Sequence, residues 1–189
     1  MNKLNGPYGL SLNPTSGVLY VVDRSNQRIM SYTNGTNAST LLFGQNGAGL
    51  ANTQLNNPTG LLFDSLSNSL LIGNTMSNNI IRYTLGASAW TLVVGSINGT
   101  AGATSTFLSY TVDMTIDPMG NLYVADRDNH RIQFFLNGQL NGTTIAGITS
   151  TSGNNSTTLF QPRSVKLDSQ LNLYVADASN HRIQKFLRY

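Results

Sequence analysis

Two histidines, His130 and His181, each stand four residues after an aspartate (Asp126, Asp177) and one before an arginine (Arg131, Arg182). Histidine beside carboxylate can ligate a metal or exchange a proton. The same frame opens the chain without its histidine, as Asp23, Asn26, Gln27 and Arg28. It recurs in worn form as Asn74, Ser77, Asn78 and Asn79. The four copies begin at residues 23, 74, 126 and 177, a near-constant period that marks a repeat protein.

That periodicity weighs against chemistry at the frame. A residue present in every unit serves the architecture of the unit. Short polar side chains at Asp23, Asp126 and Asp177, and at Asn26, Asn129 and Asn180, suit a tight turn, where they accept backbone N–H bonds. The following Arg28, Arg131 and Arg182 can reach back to the aspartate. Equivalent histidines on neighbouring packed sheets would lie about 10 Å apart, whereas zinc ligands approach to about 2 Å. No metal and no cofactor are expected there.

The remaining acids are equally regular. Glutamate is absent, and Asp64, Asp117 and Asp168 occupy matching turn positions. Only Asp113 breaks the pattern, standing where the other units have glycine or serine. No local sequence marks a serine nucleophile, and Gly44–Gly49 lacks the Lys-Ser/Thr of a phosphate loop. Cysteine is absent, which removes disulfides and thiolate metal sites.

Four short apolar runs per unit must carry these residues. The first alternates with polar residues (Leu10 and Leu12; Leu61 and Phe63; Met114 and Ile116; Val165 and Leu167), the period of a strand. The second is apolar throughout (Leu19–Val22, Leu70–Gly73, Leu122–Ala125, Leu173–Ala176), as a strand covered on both faces would be. The third holds Ile29, Ile80, Ile132 and Ile183. The fourth, ending at Gly44, Gly95 and Gly147, occurs three times. Four short strands per unit form an antiparallel sheet, apolar on both sides, that is stable only when stacked on its neighbours. The reading is all-β, a β-propeller of four blades. Blade 1 covers about 7–44, blade 2 about 58–95, blade 3 about 111–147 and blade 4 about 162–189, the last lacking its outer strand. The 189 residues are thus a single domain. With three full blades and one partial, an incomplete arc of a larger propeller is expected, or one that pairs with a second copy to complete it.

The Pro-x-Gly-Leu opening, Leu-Tyr-Val-Ala-Asp and Asn-His-Arg-Ile, clearest in units three and four, resemble the NHL repeat. That resemblance implies a propeller, usually of five or six blades, that recruits partners within multidomain proteins. Some relatives bind RNA through a basic face, and some related propellers are metal-dependent lyases or hydrolases. Unit two departs from the pattern at Asn74, Ser77, Asn78 and Asn79, and unit three has Thr111 where Pro7, Pro58 and Pro162 stand in the others.

Positions that break the repeat carry more functional information than those that keep it. Loops on one face of the disc should display Tyr8, Thr59, Val112 and Arg163, with Arg24, Arg127, Asp113 and Asp128 nearby. Tyrosine and arginine dominate recognition hot spots. A non-catalytic module that binds a protein partner is therefore the leading reading. RNA binding through Arg24, Arg127, Arg163 and Lys166 is the alternative, and a metal-dependent enzyme the third. A net charge of +3, with 10% charged residues, is too slight to decide between them.

The opening Met1–Pro7 lacks the apolar core of a signal peptide, and no apolar run reaches membrane-spanning length. The chain reads as cytoplasmic as written, or extracellular within a larger secreted protein. Glycosylation triplets at Asn34, Asn37, Asn98, Asn141, Asn154 and Asn155 are what chance supplies in a chain so rich in Asn, Ser and Thr.

Overall fold

The computed structural model describes residues 3–36 and 38–188, so the triplet at Asn37 lies outside the described residues. Among the described residues, fifteen strands form four antiparallel meanders. Blade 1 is β1 (Pro7–Leu12), β2 (Leu19–Asp23), β3 (Arg28–Tyr32) and β4 (Ser39–Gly44). Blade 2 is β5 (Pro58–Asp64), β6 (Ser69–Asn74), β7 (Asn79–Thr84) and β8 (Thr91–Gly95). Blade 3 is β9 (Thr111–Ile116), β10 (Leu122–Asp126), β11 (Arg131–Phe135) and β12 (Gly142–Gly147). Blade 4 has three strands, β13 (Ser164–Leu167), β14 (Leu173–Asp177) and β15 (Arg182–Phe186). No helix among the described residues is long and apolar enough to cross a membrane.

Local chemistry sets each turn. Asp117 and Asp168 hold the turn after the first strand of their blades: Asp117 accepts the N–H groups of Met119 and Asn121 (both 2.9 Å), Asp168 those of Gln170 and Asn172 (3.0 and 2.8 Å). A one-turn 3₁₀ helix, not anticipated from sequence, links second and third strands in every blade. Each ends on a left-handed residue, namely Gln27, Asn78, His130 and His181. The fourth strands of blades 1 to 3 close on Gly44, Gly95 and Gly147, all at positive φ. A Cβ there would collide with the carbonyls of Gln27, Asn78 and His130, so only glycine fits.

Apolar side chains of successive blades interdigitate. Ile29 and Val22 meet Leu61 and Ile72; Ile80 and Val94 meet Met114 and Val124; Ile132 and Ala146 meet Val165 and Val175. Each of these larger side chains, fully buried, contributes about 1.5–3 kcal/mol. The innermost strands β1, β5, β9 and β13 pack in series around an axis, with no comparable packing of β13 back onto β1. The four blades form an open arc.

Candidate functional site

Each blade builds a polar hub where its second strand ends. In blade 3, Asp126 Oδ2 accepts from Arg131 Nε (2.7 Å) and Asn129 Nδ2 (2.8 Å), while Oδ1 accepts the Ser109 N–H (2.7 Å). The guanidinium of Arg131 continues to the carbonyls of Ala103, Thr104 and Phe107. Asp23 repeats this with Arg28, Asn26 and the Asn5 N–H; Asp177 does so with Arg182, Asn180 and the Phe160 N–H. In each hub the guanidinium ties the incoming loop to the blade, and Arg28 and Arg131 also donate past the fourth strand, to Gln45 and to Thr149. Burial pushes the Asp23 and Asp177 carboxyls up, but the side-chain, backbone and arginine donors together outweigh it and hold both below the usual range.

The residues between aspartate and arginine clamp one blade to the next. Gln27 Oε1 accepts the N–H of Asn57 (2.6 Å), Asn78 Oδ1 that of Tyr110 (2.8 Å) and His130 Nδ1 that of Gln161 (3.2 Å). His130 is thus an acceptor at a blade junction. Amide and imidazole serve equally there, which is why the position varies in sequence. No three His, Asp or Glu side chains converge as a metal centre requires among the described residues.

A different group of residues meets at the axis. Tyr8, Arg24, Tyr110, Arg127 and Arg163 surround a cavity of about 150 Å³ at one mouth of the central channel. Arg24 lies over the Tyr8 ring at 5.6 Å and Arg127 over Tyr110 at 4.6 Å. Arg24 Nε donates to Asn57 Oδ1 (2.6 Å). Arg127 pairs with Asp128 (2.8 Å) and donates to Gln161 Oε1 (3.2 Å), and its Nε is buried without a partner. Arg163 is exposed, and its guanidinium has no hydrogen-bond partner among the described residues.

Two residues expected on the contact surface belong beneath it. Thr59 and Val112 are only 2% and 4% exposed. Thr59 Oγ1 bonds Thr75 Oγ1 (2.7 Å) and the Val112 carbonyl (2.9 Å), sealing β5 against β9, so the pair forms the floor of the mouth. Asp113 lies deeper in the channel and ties two blades: its Oδ2 accepts from Ser164 Oγ (2.6 Å), with Lys166 Nζ at 3.4 Å. At the equivalent positions Gly9 and Gly60 have their neighbours too close for any side chain. Asp128 is exposed at the rim, where it neutralises part of Arg127.

Sequence reasoning missed Tyr110. It occupies the position of Gly6, Asn57 and Gln161, all left-handed, and holds φ at 55°. A bulky aromatic is costly in that conformation. A tyrosine where the other units have Gly, Asn or Gln was the available signal.

The NHL repeat family matches residues 108–135 and 161–186. Among curated protein sequences none matches the chain. Solved structures do. An auxiliary nutrient binding protein from Bacteroides thetaiotaomicron superimposes with a TM-score of 0.75 at 22% identity, over 95% of this chain and 47% of its own. A Bacteroides thetaiotaomicron protein of unknown function gives 0.76 at 19%, over 94% and 46%. A gluconolactonase from Xanthomonas campestris gives 0.75 at 13%, over 100% and 60%. The chain spans roughly half the length of these structures, which share the fold and include both a nutrient binding protein and a gluconolactonase. The third and fourth units of this chain therefore match the NHL repeat, and they are set in an arc of four β-propeller blades.

Proposed function

We propose that the chain is a binding module whose channel mouth, formed by Arg24, Arg127 and Arg163 with Tyr8 and Tyr110, receives an acidic segment of a protein partner. The observation that carries this reading is Arg163: an exposed guanidinium free of side-chain partners, beside two arginines already braced over tyrosine rings. Bracing fixes the charges in place before binding, which lowers the entropy lost on association. Carboxylates suit guanidinium through paired, charge-assisted hydrogen bonds. The hub aspartates and arginines are consumed internally and take no part.

The test is fluorescence anisotropy with labelled deca-glutamate, deca-glutamine and deca-uridine. Deca-glutamate should bind, deca-glutamine should not, and Arg163→Ala should weaken the former about ten- to a hundredfold with an unchanged melting temperature, since one charged hydrogen bond is worth about 1.5–3 kcal/mol. Equal binding of the glutamine peptide overturns the reading. Tighter binding of deca-uridine, with affinity falling steeply in salt, replaces it with RNA recognition.

A further inference from the structure

The two ends of the arc are complementary halves of the contact that joins its blades. On the leading face, the position held by Leu61, Met114 and Val165 is at most 6% exposed inside the arc, yet Leu10 of blade 1 is 61% exposed. On the trailing face, Ile29, Ile80 and Ile132 are 0% exposed, whereas Ile183 of blade 4 is 67% exposed. The hydrogen-bond clamp is open at the same two places. Gly6, equivalent to Asn57, Tyr110 and Gln161, has an N–H without a partner among the described residues, and exposed His181, equivalent to Gln27, Asn78 and His130, has no donor there. One end offers an apolar face and a donor; the other offers an apolar residue and an acceptor, in the register already used three times within the chain.

We infer that these ends dock on each other between copies: blade 1 of one copy seats on blade 4 of a second, burying Leu10 against Ile183 and bringing the Gly6 N–H to the His181 imidazole. The contact continues the blade-to-blade interface instead of inventing a new one. Because it joins two different surfaces it is head-to-tail, and its repetition gives a ring if the rotation closes and a filament if it does not.

Light scattering after size exclusion tests this on the 189-residue chain. The wild type should elute with a mass that is a multiple of 20.4 kDa. Leu10→Asp and Ile183→Asp should each be monomeric with the wild-type circular dichroism spectrum, since both side chains are exposed in the single copy, and should melt lower than the wild type only by what association contributes. Mixed one to one, they should form a dimer, because each retains the face that the other lost. His181→Ala should dissociate at lower dilution than the wild type, while His181→Gln, which copies Gln27, should restore association. A monomeric wild type at every attainable concentration overturns the inference. So does association that survives either aspartate, which would place the contact elsewhere, and so does a mixture that stays monomeric.

Discussion

The second and third blades solve one structural problem with opposite chemistry. Blade 3 ties its incoming loop with a buried ion pair, Asp126–Arg131, whose guanidinium satisfies the carbonyl of Phe107 (3.0 Å). Blade 2 has Asn74 and Asn79 at those positions and no charge. There the loop carbonyl at the same place, that of Gln54, is taken by the indole N–H of Trp90 (2.9 Å), which reaches in from the segment before β8. Asn74 Oδ1 still accepts the Asn56 N–H (2.6 Å), just as Asp126 accepts that of Ser109. Asn74 Nδ2, Ser77 Oγ and Asn79 Oδ1 are nevertheless left buried and unpartnered. The hub is therefore defined by which backbone groups must be satisfied, and an ion pair is one means of doing so.

The largest expected difference follows from removing each anchor. Asp126→Ala strands a guanidinium that is 97% buried and should cost about 3–5 kcal/mol. Asn74→Ala removes one hydrogen bond from an already neutral hub and should cost about 1 kcal/mol. Urea titrations followed by the fluorescence of Trp90, the chain's one tryptophan, measure both. Equal costs would break the comparison, because the charge in blade 3 would then contribute nothing specific.

Trp90 gives a sharper probe of equivalence. Trp90→Phe keeps an aromatic ring in the core but frees the Gln54 carbonyl, a loss of about 1–2 kcal/mol. If indole and guanidinium are interchangeable, a charged hub can be rebuilt in blade 2. Asn74→Asp and Asn79→Arg together, added to Trp90→Ala, should then be more stable than Trp90→Ala alone. Far-ultraviolet circular dichroism in urea reads this series without the tryptophan signal. A triple variant weaker than Trp90→Ala would show that the blade 2 backbone no longer accommodates the ion pair.

Strand positions, the blade number and the shortened fourth blade were legible in the sequence because period-2 and continuous apolar runs map directly onto packed sheets. Leu122–Ala125 reads as a doubly covered strand, and it is one. The mouth was half legible. Tyr8, Arg24, Arg127 and Arg163 stood out as departures from the repeat, but so did Thr59 and Val112, and no alignment of units reveals that these two are buried under a neighbouring strand. Trp90 was invisible as a hub residue, since its carbonyl partner lies 36 positions earlier and no other unit uses that contact. Variation at position 27 and its equivalents looked like loss of a motif. It reflects a requirement for any left-handed residue bearing an acceptor.

The smallest effect should come from the most exposed charged hub. Asp177 is fully buried but its partner Arg182 is 29% exposed, so the pair contributes about 1 kcal/mol or less. Asp177→Asn turns blade 4 toward the neutral design of blade 2 and keeps an acceptor for the Phe160 N–H, as Asn74 does for Asn56. The sign with pH is fixed by the depressed carboxyl. Its contribution is fully present above the unfolded value of about 3.9 and is lost as pH falls through the lower folded value. Wild type should thus exceed Asp177→Asn in stability at pH 6, and the gap should narrow progressively below about pH 4, closing only below the depressed folded value. Asn74→Ala, which alters a hub with nothing to titrate, should cost the same at both. A gap for Asp177→Asn that is constant with pH would mean that the carboxylate serves there only as an amide would, and that the charged hub differs from the neutral one in name alone.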